Sequence, residues 1–243
     1  MKLRSSFVLI GLCSTSIILM AGAESGNSTV REEKLEAPGK VAVKIRMEGP
    51  YTADTPLQVV CYFKHKVAGD MTRGAPVELD KHLRGVITSL RNRGDFVGNE
   101  LETLLITAPP DSIKAKQLLL IGLGDEDGLS LATLERVGQV ALREAARLGA
   151  ARVAFAPLIR DQGNSKLGTG DVAGAVVRGV LLAYDTEKRL QKEGFAKEYT
   201  LEEWSEEAGP TYFDDTVAGM KKAIEAAGVM IAAKSSEPYA TSK

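Results

Sequence analysis

The sequence has few residues of the types that build metal-bound or covalent sites. It contains two cysteines, Cys13 and Cys61, and two histidines, His65 and His82. The histidines stand in no metal-ligand spacing with cysteine, aspartate or glutamate, and neither a GxSxG nor an HExxH motif occurs. We therefore predict no bound metal, no cofactor and no serine-based active site.

Cysteine is also too scarce for an internal disulfide. Cys13 lies in an N-terminal apolar run that we expect to be removed, which leaves Cys61 alone. Cys61 lies inside the apolar run 59–63, a setting that predicts a buried and unreactive thiol. Stability must then come from the hydrophobic core.

An excess of charge of either sign is missing as well. Lys and Arg number 31 against 32 Asp and Glu, a net charge of −1, and the charge becomes −3 without the two basic residues of the N-terminal segment. A protein that grips phosphate backbones needs a basic face. We therefore predict no nucleic-acid partner.

The N-terminal segment has the pattern of an export signal. Lys2 and Arg4 precede an apolar run over residues 7–20, and Ala21-Gly22-Ala23 follows. A membrane helix needs about 20 apolar residues, whereas this run is shorter and is broken at residues 14–16. We expect residues 1–23 to be cleaved, the mature chain to be periplasmic or extracellular, and no membrane contact afterwards.

The rest of the chain alternates between strand and helix patterns. Residues 24–40 are polar and predict a disordered lead-in, and residues 234–243 a polar tail. Between them, residues 41–233 predict one α/β domain with a mixed, mostly parallel sheet flanked by helices on both faces. Predicted strands cover residues 41–47, 57–63, 100–107, 117–123, 152–158 and 197–204, the first near an edge and the last an edge strand. Predicted helices cover residues 79–94, 130–149, 171–191 and 213–231. Gly94 is the predicted end of the first, and Ser130 and Gly149 are the predicted N-cap and end of the second.

One glycine loop follows the strand over 117–123. Gly122, Gly124 and Gly128 could let backbone N–H groups approach a phosphate. Their spacing is GxGxxxG, however, and residues 125–127 place three carboxylates where a pyrophosphate would lie. A structural turn with an acidic rim is the favoured interpretation, and dinucleotide binding is disfavoured by repulsion.

A second glycine loop precedes the helix over 171–191. Gly163, Gly168 and Gly170 have the spacing of a Walker A loop, but Thr169 stands where that loop needs lysine. Nucleotide hydrolysis is therefore not supported, although the loop could bind a small anion or line a cleft. Since ligands bind at strand ends in open α/β sheets, we predict a ligand cleft between the loops. Its candidate residues are Gly122, Gly124, Asp125, Gly128, Gly163, Gly168 and Gly170.

Several segments together resemble a known family. Residues 95–98 (DFVG), 117–124 (QLLLIGLG), the helix that ends at Gly149 and residues 179–184 (GVLLAY) are similar to the N-terminal domain of leucyl aminopeptidases. The resemblance covers residues 41–233 and implies a macro-domain-like fold. It also implies that residues 211–233 correspond to the helix that links this domain to a two-metal catalytic domain.

The resemblance leads to three hypotheses about function. The catalytic domain of that family binds two divalent metal ions, and no position of this sequence matches its metal-ligand run. The first hypothesis is accordingly an exported, non-catalytic, stand-alone homologue of the N-terminal domain that binds a ligand or assembles, including with itself. The second is a non-catalytic subunit of a split aminopeptidase whose catalytic domain is a separate chain. The third is a binder of ADP-ribose or a related nucleotide.

Overall fold

A computed structural model describes residues 30–70 and 73–234 of the chain. These residues form a seven-stranded sheet and five α-helices. The strands are β1 Glu32–Glu36, β2 Ala42–Arg46, β3 Leu57–Tyr62, β4 Thr103–Thr107, β5 Gln117–Gly122, β6 Arg152–Ala156 and β7 Glu203–Glu207. The helices are α1 Ala75–His82, α2 Val86–Arg93, α3 Leu131–Leu148, α4 Thr169–Lys192 and α5 Phe213–Ala233.

The sheet is parallel in its centre and antiparallel at both edges. The strand order is β1-β2-β7-β6-β3-β5-β4, in which only β1 with β2 and β4 with β5 pair antiparallel. This arrangement confirms the predicted mixed, mostly parallel sheet. The carboxyl ends of the five parallel strands therefore lie at one edge of the domain, where open α/β sheets bind ligands.

Helices cover both faces of the sheet, as predicted. In β3, Val59 and Cys61 belong to the larger hydrophobic cluster, which is shared with α3, α4 and α5. The alternate residues Val60 and Tyr62 belong to a smaller cluster with residues of α1 and α2. Cys61 is fully buried, and burial raises the pKa of its thiol, so the prediction of a buried, unreactive cysteine is confirmed.

The helix in the middle of the chain has the predicted ends. The Ser130 hydroxyl accepts a hydrogen bond from the Thr133 N–H at 3.1 Å, which caps the first turn of α3. Gly149 ends the helix with a left-handed backbone, at φ 68°. Glycine also sets the contact with α4, because a Cβ at Gly138 would lie 2.1 Å from the Val176 carbonyl oxygen and one at Gly179 would lie 1.9 Å from the Glu135 carbonyl oxygen.

Part of the predicted lead-in is a strand, so that prediction is wrong for Glu32–Glu36. This segment, β1, pairs antiparallel with β2, and its side chains alternate between exposed and half-buried. Glu32 lies 3.0 Å from Arg46 and 3.6 Å from Lys44 across the pair. The alternating side chains of this strand are mostly charged, so the strand could not be found from a periodic pattern of apolar residues. As a result β2, expected near an edge, is covered on its outer side.

The predicted edge strand over 197–204 is also wrong. The observed strand, β7, is Glu203–Glu207, and it lies inside the sheet between β2 and β6. Tyr199 and Leu201 are buried before it begins, and the Tyr199 hydroxyl donates to the Ala150 carbonyl at 2.9 Å. Because Tyr199 and Leu201 alternate with polar residues, the sequence has the pattern of a strand several residues before β7 begins.

The single helix predicted over 79–94 is two short helices, although its predicted end at Gly94 is confirmed by a left-handed φ of 76°. Between α1 and α2, Arg84 and Gly85 have positive φ angles of 58° and 80°. The Asp80 carboxylate accepts hydrogen bonds from the backbone N–H groups of Ile87 and Thr88, and so caps α2. This cap offsets the break that the left-handed residues introduce.

Three predicted segments fall wholly or partly outside the described residues. They are the export signal over 1–23, the start of the lead-in over 24–29 and the tail from residue 235 onward. Within residues 30–70 and 73–234, no helix has the length and apolar character needed to cross a membrane.

Candidate functional site

The two glycine loops lie close together at the carboxyl edge of the sheet. The first loop follows β5, and the second follows β6 and leads into α4. Lys166 Nζ of the second loop lies 2.6 Å from Asp127 Oδ1 of the first, and Asn164 Nδ2 donates to the Glu126 carbonyl at 3.4 Å. The loops therefore meet, as predicted, but polar contacts join them where a cleft was expected.

The glycines of the first loop are explained by backbone packing. A Cβ at Gly122 would lie 1.9 Å from the Asn99 carbonyl oxygen, so this position excludes any side chain. Gly124 has a φ of 74°, and its backbone bonds to Gly98 and Lys64. Gly128 has open space around it. Asp125 is exposed, with its carboxylate 3.7 Å from Lys64 Nζ.

The glycines of the second loop also have structural reasons. Gly163 takes a φ of 95°, which L-residues rarely adopt. Gly168 precedes the first turn of α4. A Cβ at Gly170 would lie 2.4 Å from the Asp215 carbonyl oxygen, so this glycine allows α4 to contact α5. A ligand-binding role for these loop residues stays a prediction.

A concave pocket lies beside the second loop, at the carboxyl ends of β6 and β7. We call it the β6–β7 pocket. Its volume is about 280 Å³. Its floor and walls come from the ends of both strands, the first turn of α4, the turn after β2 and the start of α5. The lining residues are Glu48, Gly49, Pro50, Ala75, Ala156, Pro157, Leu158, Ile159, Arg160, Asp161, Thr169, Val172, Ala173, Glu206, Glu207, Ala208, Gly209, Tyr212 and Thr216.

Two consecutive buried glutamates of β7 line this pocket. Glu206 and Glu207 are 1% and 9% exposed. Side chains alternate along a strand, so the two leave β7 in opposite directions, but both line the pocket at the end of the strand. Burial raises the pKa of both carboxyls well above the ordinary range. For Glu207, the neighbouring Glu48 carboxylate raises the pKa further.

The buried carboxylates have few hydrogen-bond donors. Glu206 Oε2 accepts one long hydrogen bond, from Trp204 Nε1 at 3.4 Å, and Glu206 Oε1 accepts none from the described residues. The Gln58 amide lies near Glu207 and lowers its pKa, but Nε2 donates at 3.2 Å to the Val59 carbonyl. Among the described residues, then, neither Glu207 oxygen has a hydrogen-bond partner of good geometry. Buried acceptors of this kind are uncommon in folded proteins.

The remaining charged residues of the pocket are two carboxyls and one guanidinium. Burial raises the pKa of Glu48, while Arg46, 2.7 Å away, lowers it in part. Burial likewise raises the pKa of Asp161. Arg160 donates to the carbonyls of Leu167 at 2.5 Å and Asn164 at 3.3 Å. Its cation is therefore partly engaged with the second glycine loop.

A second cavity, of about 420 Å³, lies where β3 faces α1 and α2. Here the buried cation, Arg91, is paired. Arg91, 3% exposed, donates Nε to Asp70 at 2.6 Å and Nη2 to the Phe63 carbonyl at 2.9 Å. Burial tends to raise the pKa of Asp70, but hydrogen bonds from Arg91 and His65 outweigh it, and the pKa is lowered. We call this the α1–α2 cavity.

Sequence reasoning missed Glu206 and Glu207. The strand was placed too early, so these residues fell in a presumed loop where carboxylates need no explanation. A signal was present, since Trp204 precedes two glutamates that end directly before Ala208-Gly209-Pro210. In the part of the chain that the structure describes, no group of three or more His, Cys, Asp or Glu residues could hold a metal ion.

Sequence comparisons relate the chain to peptidases. The profile of the cytosol aminopeptidase family, N-terminal domain, matches residues 59–193. A probable cytosol aminopeptidase of Thermosynechococcus vestitus is 31% identical over 119 residues, which are 49% of this chain and 23% of that protein. One of Alkaliphilus oremlandii is 33% identical over 131 residues, 51% of this chain and 26% of that protein. The chain thus spans about a quarter of these relatives.

Solved structures show the same fold at low sequence identity. A mutant of tomato leucine aminopeptidase matches with a TM-score of 0.59 and 21% identity, over 84% of this chain and 38% of that one. The Oceanobacillus iheyensis macrodomain with ADP matches with a TM-score of 0.55 and 11% identity, over 82% of this chain and 100% of that one. The expected macro-domain-like fold is confirmed.

Proposed function

Because the chain belongs to the cytosol aminopeptidase family through that family's N-terminal domain, we propose that it is a non-catalytic binding or assembly module that acts outside the cytoplasm. The observation that carries the binding role is the β6–β7 pocket, which lies at the carboxyl ends of parallel strands. Concave sites there, with apolar walls and a few convergent polar groups, are typical of ligand binding. The export role is supported by the N-terminal pattern of Lys2, Arg4 and the apolar run 7–20.

Hydrolysis assays on the purified protein test the non-catalytic role. The full chain would be expressed in an exporting host, collected from the periplasm or medium, and loaded separately with Zn²⁺, Mn²⁺ or Mg²⁺. We expect an N-terminus at Glu24 and no release of nitroaniline from leucine nitroanilide above the buffer blank. Metal-dependent turnover that survives repeated purification would overturn the module proposal. An uncleaved N-terminus would overturn export alone.

The second candidate function is a subunit of a split aminopeptidase. Two apolar side chains near the end of α5, Val229 and Met230, are 71% and 46% exposed. This helix corresponds, by resemblance, to the one that joins the two domains in the family. Co-purification of a metal-site chain, lost in Val229→Glu but kept in the control Lys222→Glu on the same helix, would support this function. The absence of any co-purifying chain would argue against it.

Nucleotide binding is the third candidate and has the least support. The Oceanobacillus iheyensis protein is a macrodomain described with ADP bound, but the β6–β7 pocket here is lined by Glu48, Asp161, Glu206 and Glu207. Carboxylates at that density repel phosphate groups wherever they are ionised. Calorimetric titration with ADP-ribose should give no saturable heat, and a saturable isotherm would reinstate this candidate.

A further inference from the structure

We propose that the β6–β7 pocket binds a small organic cation, a primary amine with an apolar body, through Glu206 and Glu207. The inference rests on the proposed binding function and names the ligand class for the same pocket. It draws on three independent observations, which concern the pocket's size and walls, its balance of charge, and the hydrogen-bonding state of the two glutamates.

The size and walls of the pocket fit a small molecule with an apolar part. A volume of about 280 Å³ is slightly below the range of pockets that hold drug-sized ligands. Pro50, Leu158, Ile159 and Val172 contribute apolar surface to its walls. A short branched alkyl chain would displace water from this surface, which favours binding.

The charged side chains that line the pocket favour a ligand with a positive charge. Four carboxyl side chains line the pocket, and the basic side chain among its lining residues is Arg160. Its guanidinium already donates to the Leu167 and Asn164 carbonyls and lies 5.8 Å from the ring centroid of Tyr212. The guanidinium is thus committed to the protein, whereas burial raises the pKa values of the four carboxyls by disfavouring their ionised forms, which a bound cation would stabilise.

The hydrogen-bonding state of the glutamates points to a donor. Glu206 and Glu207 are more than nine-tenths buried, and three of their four carboxylate oxygens accept no hydrogen bond from the described residues. An ammonium group carries three N–H donors and a positive charge, so it can supply both the missing hydrogen bonds and a counter-charge for an ionised carboxylate. The described residues contain no group of three or more His, Cys, Asp or Glu residues arranged to hold a metal ion, which favours an organic cation.

The structure provides its own reporter for this binding. The sequence contains one tryptophan, and Trp204 Nε1 donates to Glu206 Oε2 at 3.4 Å. An ammonium that engages Glu206 changes the field at the indole. Tryptophan fluorescence of the unmodified protein should therefore shift or quench saturably on binding.

Matched ligands separate charge from apolar contact. The purified mature protein would be titrated near neutral pH with isopentylamine, isopentanol and isovalerate, which share one branched alkyl body, by calorimetry and by Trp204 fluorescence. We expect the amine to bind saturably and the alcohol to bind at least about tenfold more weakly, since a hydrogen bond between charged groups is worth that factor or more. Isovalerate should not bind. Equal binding of amine and alcohol, tighter binding of isovalerate, or no response to the amine would overturn the inference.

Substitutions assign the effect to the two glutamates. Glu206→Gln and Glu207→Gln keep the shape of each side chain and remove its charge, and each should weaken amine binding by about tenfold or more. Glu202→Gln makes the same chemical change at an exposed position just before β7 and should leave affinity unchanged. Unchanged affinity in both pocket variants would contradict the assignment, as would saturable binding of Mg²⁺ or Ca²⁺ that excludes the amine. Peptidase turnover, in contrast, would defeat the module proposal without bearing on amine affinity.

Discussion

The β6–β7 pocket and the α1–α2 cavity bury ionisable side chains in opposite ways. In the α1–α2 cavity, Arg91 and Asp70 pair at 2.6 Å, and the pairing lowers the pKa of Asp70. In the β6–β7 pocket, the consecutive residues Glu206 and Glu207 accept no hydrogen bond from a cationic side chain of the described residues, and burial raises their pKa values. Removing one partner of a buried ion pair leaves an uncompensated charge and destabilises the fold, whereas a buried carboxyl that has no pair carries that cost whenever it ionises. The comparison therefore separates a structural site from a site with capacity for a ligand.

The largest expected effect comes from breaking the paired site. Arg91→Ala removes the cation paired with Asp70, which keeps its hydrogen bonds from His65 and the Lys66 N–H, and it removes a donor to the Phe63 carbonyl. The free energy of unfolding should therefore fall by about 2 to 4 kcal/mol. The value is set below that of a fully buried pair because the Asp70 side chain is 21% exposed. Urea unfolding followed by circular dichroism measures it. The control Arg93→Ala, on the exposed side of α2, should cost less than about 0.5 kcal/mol, and equal losses would refute the distinction.

Removing an ionisable group from the β6–β7 pocket should stabilise the protein. Glu207→Gln eliminates the cost of ionising a buried carboxyl, so near neutral pH the free energy of unfolding should rise by about 1 to 2 kcal/mol. For a chain of this size that corresponds to roughly 2 to 4 °C in Tm per kcal/mol. Because the same change should weaken amine binding, stability and affinity move in opposite directions. A destabilised Glu207→Gln protein would show that the carboxylate has a structural partner.

The two sites should also respond oppositely to pH. The carboxyls of Glu206 and Glu207 have raised pKa values in the folded state, so the folded protein binds more protons than the unfolded one above about pH 4.3. Their contribution is greatest at low pH and is lost as pH rises through the folded-state pKa. Asp70 has a lowered pKa, so its contribution is present above about pH 3.9 and is lost as pH falls. Urea unfolding curves recorded across this pH range give the free energy of unfolding as a function of pH. Glu207→Gln should reduce its decrease at high pH. Asp70→Asn should reduce its decrease at low pH.

The smallest effect is expected at the ion pair that joins the glycine loops. Lys166 and Asp127 lie 2.6 Å apart with exposed side chains, and solvent screens such pairs. Lys166→Ala should leave Tm and amine affinity unchanged. A clear loss of amine affinity would instead place the glycine loops in the binding site, as the sequence first indicated.

Much of the fold follows from strong local patterns. The apolar period of α3, its Ser130 cap and its Gly149 end are encoded within one segment and needed no tertiary information. The strand β1 did not have such a signal, because charged residues carry its alternation and only pairing with β2 reveals it. Tertiary packing also determines where β7 begins, since Tyr199 and Leu201 pack in the core without joining the sheet.

The sequence predicted the edge of the sheet at which the pocket lies, but it did not predict the residues that line the pocket. Strand ends and glycines correctly placed the two loops near the carboxyl edge of the sheet, since that edge is fixed by parallel topology. Glycine has several structural uses, however, and Gly122 and Gly170 serve close backbone contacts. Burial of Glu206 and Glu207 depends on strand order, which puts β7 between β2 and β6. No local pattern specifies that order.

The glycine contacts between helices hold one wall of the β6–β7 pocket in a fixed position. Gly170, beside the pocket residue Thr169, brings α4 against α5, and Gly179 locks α4 to α3 with no side chain between the backbones. The helical wall therefore cannot shift without moving three packed helices together.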